Sequence, residues 1–467
     1  METDKPVQGR DGAIAKASEY FESGAYFAEL ADLVTYPTES QNPARKAELS
    51  RYLNSAILPR LEAAGFHCEI FENSDPRGGP FLIAERREGD GLPTVLSYGH
   101  GDVVHGQADQ WRAPLRPFEL TEDGARFYGR GAADNKGQHL INIAAVEAVL
   151  AVRGALGFNL KFIFEMSEEV GSTGLPAFFR AHKARLAADV LIASDGPRLQ
   201  PDTATMFMGT RGAMNFDLVV DLRKGAHHSG NWGGLLADPA MILAQALAVI
   251  TDVRGQIKVP EWRPNSLTDT VRTALRDLPV AGGDGPAIDT DWGEADLTLA
   301  ERVYGWNSFA VLAMKSGLPE APVNAISGHA RATCQLRFVV GTDVGDIIPA
   351  LRRHLAKHGF DGVEVIDSGE VEFAATRLDP DHPWVRFVAA SLTRTAGKPP
   401  HILPNLAGSL PNDCFSNILG LPTIWVPHSY RGCSQHAPNE HVLKSVCLDG
   451  LRMMAGVFWD VGAGGTP

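Results

Sequence analysis

The stretch "TVLSYGHGDVVHG", residues 94–106, decides how this chain is read. Its apolar start, "TVLSYG", has the length of a short buried strand, and it gives way at once to His100, Asp102 and His105. Polar side chains in that place belong either to a solvated loop or to one rim of a reactive site. The second reading requires other strands to end in the same way, because ligands of an open parallel sheet bind beyond the carboxyl ends of its strands. They do. "LKFIFEM" (160–166) runs into Ser167, Glu168 and Glu169, "DVLIAS" (189–194) into Asp195, and "PTIWVP" (422–427) into His428 and then His436. Asp134 precedes a long helical pattern in "GRGAADNKGQ" (129–138). Singly, each acid reads as a solvated or helix-capping residue. Together, several segments deliver His, Asp and Glu to one edge of one sheet.

Outward from this edge the chain alternates between helix and strand. "ARKAELSRYLNSAILPRLEAAG" (44–65) and "QHLINIAAVEAVLAV" (138–152) have helical apolar spacing, and "HCEIFE" and "PFLIAER" read as strands. The alternation implies an α/β domain with a mostly parallel sheet covered on both faces. Near Met206 the pattern changes to adjacent strands ("ATMFMGTRGAMNFDLVVDL"), a helix (238–250), a strand (330–340), a helix (346–359) and the strand "VEVIDSG". Between them, residues 254–322 are rich in Pro, Gly and Asp and read as irregular. The α/β pattern returns after residue 375. The expected organisation is a catalytic domain of residues 1–205 and 376–467, interrupted by an inserted α+β domain of residues 206–375.

The length of 467 residues exceeds what one hydrophobic core holds. With 44% hydrophobic and 21% charged residues the composition is that of a soluble globular protein, and a net charge of -13 disfavours nucleic acid as a partner. No run is apolar enough for a membrane span, and the polar N-terminus has no signal-peptide core. Five scattered cysteines without a CxxC pair suggest neither a disulfide framework nor a thiolate zinc site. A cytoplasmic setting is expected.

Imidazole and carboxylate without thiolate suit a divalent metal, zinc first, with manganese or cobalt as alternatives. A pair of cations needs a shared anionic ligand, and an aspartate supplies one oxygen to each. Asp102, two residues after His100, can accept from the second ring nitrogen of that histidine. Glu168 and Glu169, being adjacent, cannot point the same way in an extended chain, so one can bind metal while the other serves as a base.

"GHGDVV", "GRGAADNKG", "SEEVGS", "SDG" and "SQHAPNEH" resemble, in order and spacing, the cocatalytic dizinc peptidases. That family includes carnosinase-type dipeptidases, aminoacylases, succinyl-diaminopimelate desuccinylase and carboxypeptidase G. The resemblance covers nearly the whole chain. It implies two metal ions, with His100 and Asp195 on one, Glu169 and His436 on the other, and Asp134 as the bridge. It further implies Glu168 as general base, Asp102 as the partner of His100, and a cis peptide after Asp134. "AHHSGNWGG" resembles the family's lid segment and places His228 as an oxyanion donor. "VNAISGHARATCQLRFVV" and "LAGSLPND" resemble its substrate-binding segments, giving Asn324, Arg337, Gly408 and Ser409. Of competing residues, His227 reads as solvated, and His105 and His139 as structural or solvent-facing. His436 is preferred to His428 because it lies in the motif.

The implied activity is hydrolysis of an amide bond in a small substrate bearing a free carboxylate, a dipeptide first. Pairing of lid domains into a homodimer is expected, with His228 reaching the partner's site. An N-acyl amino acid deacylase, and a catalytically silent binding protein on the same fold, stay open as alternatives.

Overall fold

The structure, a computed structural model, describes residues 8–280 and 286–467. Residues 1–7, the start of the polar N-terminus and of the expected catalytic domain, and 281–285, within the stretch read as irregular, lie outside the described residues. The described residues divide into two compact units, one of residues 8–209, Pro286 and 378–467, the other of Thr210–Val280 with Ala287–Arg377.

The first unit is built on an eight-stranded sheet. Its four central strands are Asn159–Glu165, Thr94–His100, Val190–Ala193 and Thr423–Trp425, all parallel. Phe81–Arg86, antiparallel to them, and then His67–Phe71, antiparallel to it in turn, extend one edge, and Thr205–Phe207 and His401–Leu403, parallel to each other and antiparallel to the centre, the other. The central strands are apolar because both faces are covered. Helices Gly9–Glu22, Lys136–Arg153 and Lys444–Val461 pack against one another, and Ile141, Val149, Met454 and Phe458 join Val95, Phe162, Phe164 and Ile424 in the main core. Helix Lys136–Arg153 stops at Gly154, whose φ of 79° is the left-handed conformation that ends helices without a Cβ penalty. The common direction of the central strands brings His100, the Glu168–Glu169 turn and the Asp195 segment to one sheet edge.

The second unit is a four-stranded antiparallel sheet in the order Ser308–Lys315, Ala325–Phe338, Gly212–His228, Glu364–Phe373. One face is buried by helices Pro239–Ile250 and Ile347–Lys357 around Phe216, Leu218, Trp262, Leu336 and Leu351. One reading from sequence is corrected here. Residues 254–322 are not irregular throughout. They hold the helices Asp269–Leu275 and Leu299–Tyr304 and the edge strand Ser308–Lys315. That strand has nearly all its residues exposed, so no alternation of buried and exposed positions marked it. His228 is the last residue of its strand, whose pairing resumes at Ala226 after a shift beyond Asp221. No helix among the described residues is long and apolar enough to cross a membrane, and all five cysteines are free thiols.

Candidate metal centre

His100 is the last residue of its strand and pairs in register with Glu165. Its side chain is fully buried. Nδ1 lies 3.1 Å from the backbone carbonyl of Asp102 and 3.4 Å from that residue's Oδ1. Both the carbonyl and the carboxylate of Asp102 therefore face this ring nitrogen, the carbonyl more closely. The carboxylate has further partners. Its Oδ1 accepts from the Glu168 backbone N–H and its Oδ2 from that of Glu169, both at 3.1 Å. Asp102 thus ties the end of one strand to the turn that carries the glutamate pair.

A carbonyl only accepts, so His100 donates through Nδ1, and a neutral ring then presents a lone pair at Nε2. That lone pair faces carboxylates, Asp134 Oδ1 at 3.1 Å and Asp195 Oδ2 at 3.5 Å. His436 repeats the arrangement, its Nε2 lying 3.0 Å from both Asp134 Oδ2 and Glu169 Oε2. Lone pairs brought together in this way are reconciled only by a proton or a cation between them. The ionisation of the cluster reflects the same conflict. Burial opposes a charged His100, yet Asp102, Asp134 and Asp195 together hold its pKa well above the ordinary value. Contacts with Asp134 and Glu169 push His436 up to about 11. Burial and the neighbouring Asp134 charge raise Glu169 to about 7, and burial also raises Asp195. Asp195 Oδ2 is buried without a hydrogen-bond partner.

The donor atoms form two groups, His100–Asp134–Asp195 and Asp134–Glu169–His436, each with its ligand atoms within 4.8 Å of one another. Asp134 belongs to both and offers a different oxygen to each histidine. A pair of divalent cations sharing Asp134 fits this set, since hard oxygens and imidazole nitrogens surround each position and the unpartnered Asp195 oxygen gains a partner. Glu168 stands outside both groups, and burial, reinforced by the charges of Glu169, Asp195 and Asp134, raises its pKa well above the carboxylate range. The Asp134–Asn135 peptide is cis. His428 is buried with neither ring nitrogen hydrogen-bonded and is in neither group. His139 is a buried partner of Tyr52 and Asn135, whereas His105 is half exposed near Glu39.

The turn with Gly408 and Ser409 belongs to the same unit, and Leu406 just before it packs near Gly196, the residue after Asp195. His228, Asn324 and Arg337 lie in the second unit. His228 pairs with Ala325, and the carbonyl of Asn324 accepts from the Ser229 N–H at 2.8 Å, so these two share one end of the long ribbon. Arg337 pairs with Ala213 and Ser308 at the other end, and its Nε donates to Gln335. The thirteen residues from Ala325 to Arg337 span roughly 40 Å at the usual strand rise. Within one chain the structure therefore separates His228 and Asn324 from Arg337. Arg130 and Glu440, both inside the quoted motifs, form a buried ion pair at 2.7 Å that sequence reasoning did not anticipate, because residue order does not show which charges are buried together.

Known proteins resemble this chain in sequence and in fold. Residues 96–460 match the model of peptidase family M20/M25/M40. The human Beta-Ala-His dipeptidase is 37% identical over 444 residues, 90% of this chain and 86% of that protein. The mouse Beta-Ala-His dipeptidase is 38% identical over 184 residues, 39% of this chain, and the match spans only 37% of that protein's length. The crystal structure of human carnosine dipeptidase 1 superimposes with a TM-score of 0.78 at 22% identity, covering 98% of this chain and all of that one, which is a likeness of fold. The order of motifs, the paired donor groups and the extent of the match place this chain in peptidase family M20/M25/M40, a family of metal-dependent hydrolases.

Proposed function

We propose that this protein hydrolyses the peptide bond of dipeptides with a free carboxylate, using two Zn2+ ions. The observation that carries the reading is the pair of donor groups joined through Asp134. His100 and Asp195 would hold one ion, Glu169 and His436 the other, and Asp134 both. When bound, such ions make water acidic enough to ionise near neutral pH and polarise the carbonyl of the scissile bond.

The remaining work falls to the chain. Glu168, a buried carboxylate outside the donor groups with a raised affinity for protons, would accept the proton of the attacking water on a carboxylate oxygen. It would then deliver that proton to the departing amide nitrogen. Asp102 holds the Glu168 and Glu169 N–H groups and so orients both side chains. His228 would donate to the developing oxyanion. Asn324, Arg337, Gly408 and Ser409 would receive the substrate carboxylate, for which the planar fork of Arg337 is suited.

A dipeptide is far shorter than the ribbon between His228 and Arg337, so one site that uses both would draw them from different chains. This supports a homodimer in which His228 and Asn324 act on the partner's substrate. The edge strand Ser308–Lys315, with Val311, Leu312 and Met314 exposed, is the sheet edge open to such pairing.

The test is turnover of β-Ala-His, Cys-Gly and other dipeptides against N-acetyl and N-succinyl amino acids, with Zn2+, Mn2+ and Co2+ supplied separately. Dipeptides are expected to be cleaved fastest. Cleavage of the N-acyl amino acids alone would replace the reading with deacylation, and no cleavage by protein carrying its metals would favour a silent binding protein.

A further inference from the structure

Resting on the two-metal reading above, we infer that Glu440 is a positioning residue that, with Arg130, fastens the His436 loop to the Asp134 segment and sets the second metal position. The donors reach the centre by different routes. His100 ends a core strand, and Asp195 lies two residues beyond another, so the sheet places both. Asp134 and His436 come from loops. The loop from Cys433 to Glu440 is defined poorly by its own backbone, because Ser434, His436 and Asn439 all have positive φ, at 56°, 59° and 63°. Such conformations are unfavourable outside glycine and persist only where the surroundings impose them.

Glu440 supplies that constraint. Its Oε1 accepts from the backbone N–H groups of Gly131, Ala133 and Asp134 at 3.0, 3.0 and 3.2 Å. Its Oε2 takes the Arg130 guanidinium at 2.7 Å, and both side chains are 1% exposed. Its backbone carbonyl accepts from the Gly129 N–H at 3.0 Å. Arg130 continues the network by donating through Nη2 to the His105 carbonyl at 3.0 Å, so the loop after His100 is held as well. One carboxylate, four residues after His436, therefore gathers the three N–H groups that lead into the bridging aspartate. A buried charge with this many partners is costly to assemble and has no place in the water-activating chemistry. Its effect falls on geometry, and unequally. The Asp134–Glu169–His436 group takes two of its three ligands from segments that Glu440 fastens, whereas the His100–Asp134–Asp195 group takes one.

The experiment is calorimetric titration of Zn2+ into metal-stripped full-length protein, wild type and Glu440→Gln. The amide keeps the volume but can turn its oxygen to the three N–H groups or to Arg130, not to both. Disturbing a ligand's outer partner costs about 10- to 100-fold in metal affinity. The ratio between the two stepwise affinities is accordingly expected to widen by about tenfold or more. An unchanged ratio, whether or not thermal stability falls, would overturn the inference, since a merely structural role lowers stability or both affinities alike. Fewer than two ions in the wild type would defeat the metal reading and this inference with it. Should the variant not fold, hydrogen exchange in the metal-stripped wild type decides. The amides of Gly131, Ala133 and Asp134 are expected to be protected before any metal is added, and exchange at open-loop rates would overturn the proposal.

Discussion

Replacing Asp102 by alanine separates two jobs that its position in the motif leaves merged. The carboxylate accepts two backbone N–H groups, from Glu168 and Glu169, at 3.1 Å each, and is fully buried. A hydrogen bond to a charged group contributes about 1.5–3 kcal/mol. Losing both removes about 3–6 kcal/mol, from which water entering the space left by the side chain recovers a part. A loss on the order of 3 kcal/mol in unfolding free energy is expected, read from urea denaturation of the metal-stripped protein. Turnover should fall by about 10²-fold or more, because a displacement of about 1 Å in a reacting group has that effect. His100 should keep its tautomer, since the Asp102 carbonyl that faces its Nδ1 at 3.1 Å belongs to the backbone and survives the substitution. Ring-nitrogen NMR of His100 measures that directly. Stability unchanged within about 0.5 kcal/mol, the range of an ordinary surface change, would refute the claim that Asp102 holds the glutamate turn. A switched tautomer would show that the carboxylate at 3.4 Å, not the carbonyl, governs His100.

Glu168→Ala should retain both metals by elemental analysis and lose about 10²- to 10⁴-fold in kcat, and near-normal activity with full metal content would remove Glu168 from the chemistry. Asp134→Ala should deplete both metals together, whereas His100→Ala and His436→Ala should each chiefly weaken one, and two tightly held ions in Asp134→Ala would show the bridge to be misassigned. Burial, aided by Asp102, lifts Glu165 from 4.5 to about 8, so the folded protein binds the extra proton and this group's contribution to stability falls as pH rises between those values. Glu165→Gln should flatten that slope in a pH series of denaturation midpoints, and an unaltered slope would show that Glu165 is not its source. Mixing His228→Ala with Glu168→Ala subunits should restore activity in part if the histidine acts on the partner's site, and no recovery despite proven subunit exchange would place it in its own.

The strands were legible where burial is complete. "TVLSYG", "LKFIFEM" and "DVLIAS" are apolar because both faces of the sheet are covered, and each is followed by the His or acids found at the centre. The strand Ser308–Lys315 was not legible. As an exposed edge it carries Val311, Leu312 and Met314 in the open, and exposed apolar residues produce no period. Within the motifs, residue order gave the ligand types but not their partners. Asp102 could be placed beside His100 by its spacing, yet its two N–H donors come from residues 168 and 169, and nothing local announces a contact across more than sixty positions. Glu440 and Arg130 are a starker case, 310 residues apart in sequence and 2.7 Å apart in space.

The same limit governs the substrate-binding residues, with a larger consequence. A motif read along the chain assigns His228, Asn324 and Arg337 to one list, as though one site could hold them all. The ribbon formed by Gly212–His228 and Ala325–Phe338 is paired from Gly212 opposite Phe338 to Asp221 opposite His329 and, after a register shift, from Ala226 opposite Ser327 to His228 opposite Ala325. Backbone hydrogen bonds on both sides of that shift hold the two strands extended, so the ends of the ribbon do not fold back onto one dipeptide. Any site that engages both ends must therefore be completed by a second chain. Association would then be a condition of catalysis, and dilution below the dimer dissociation constant would abolish turnover while leaving both metals in place.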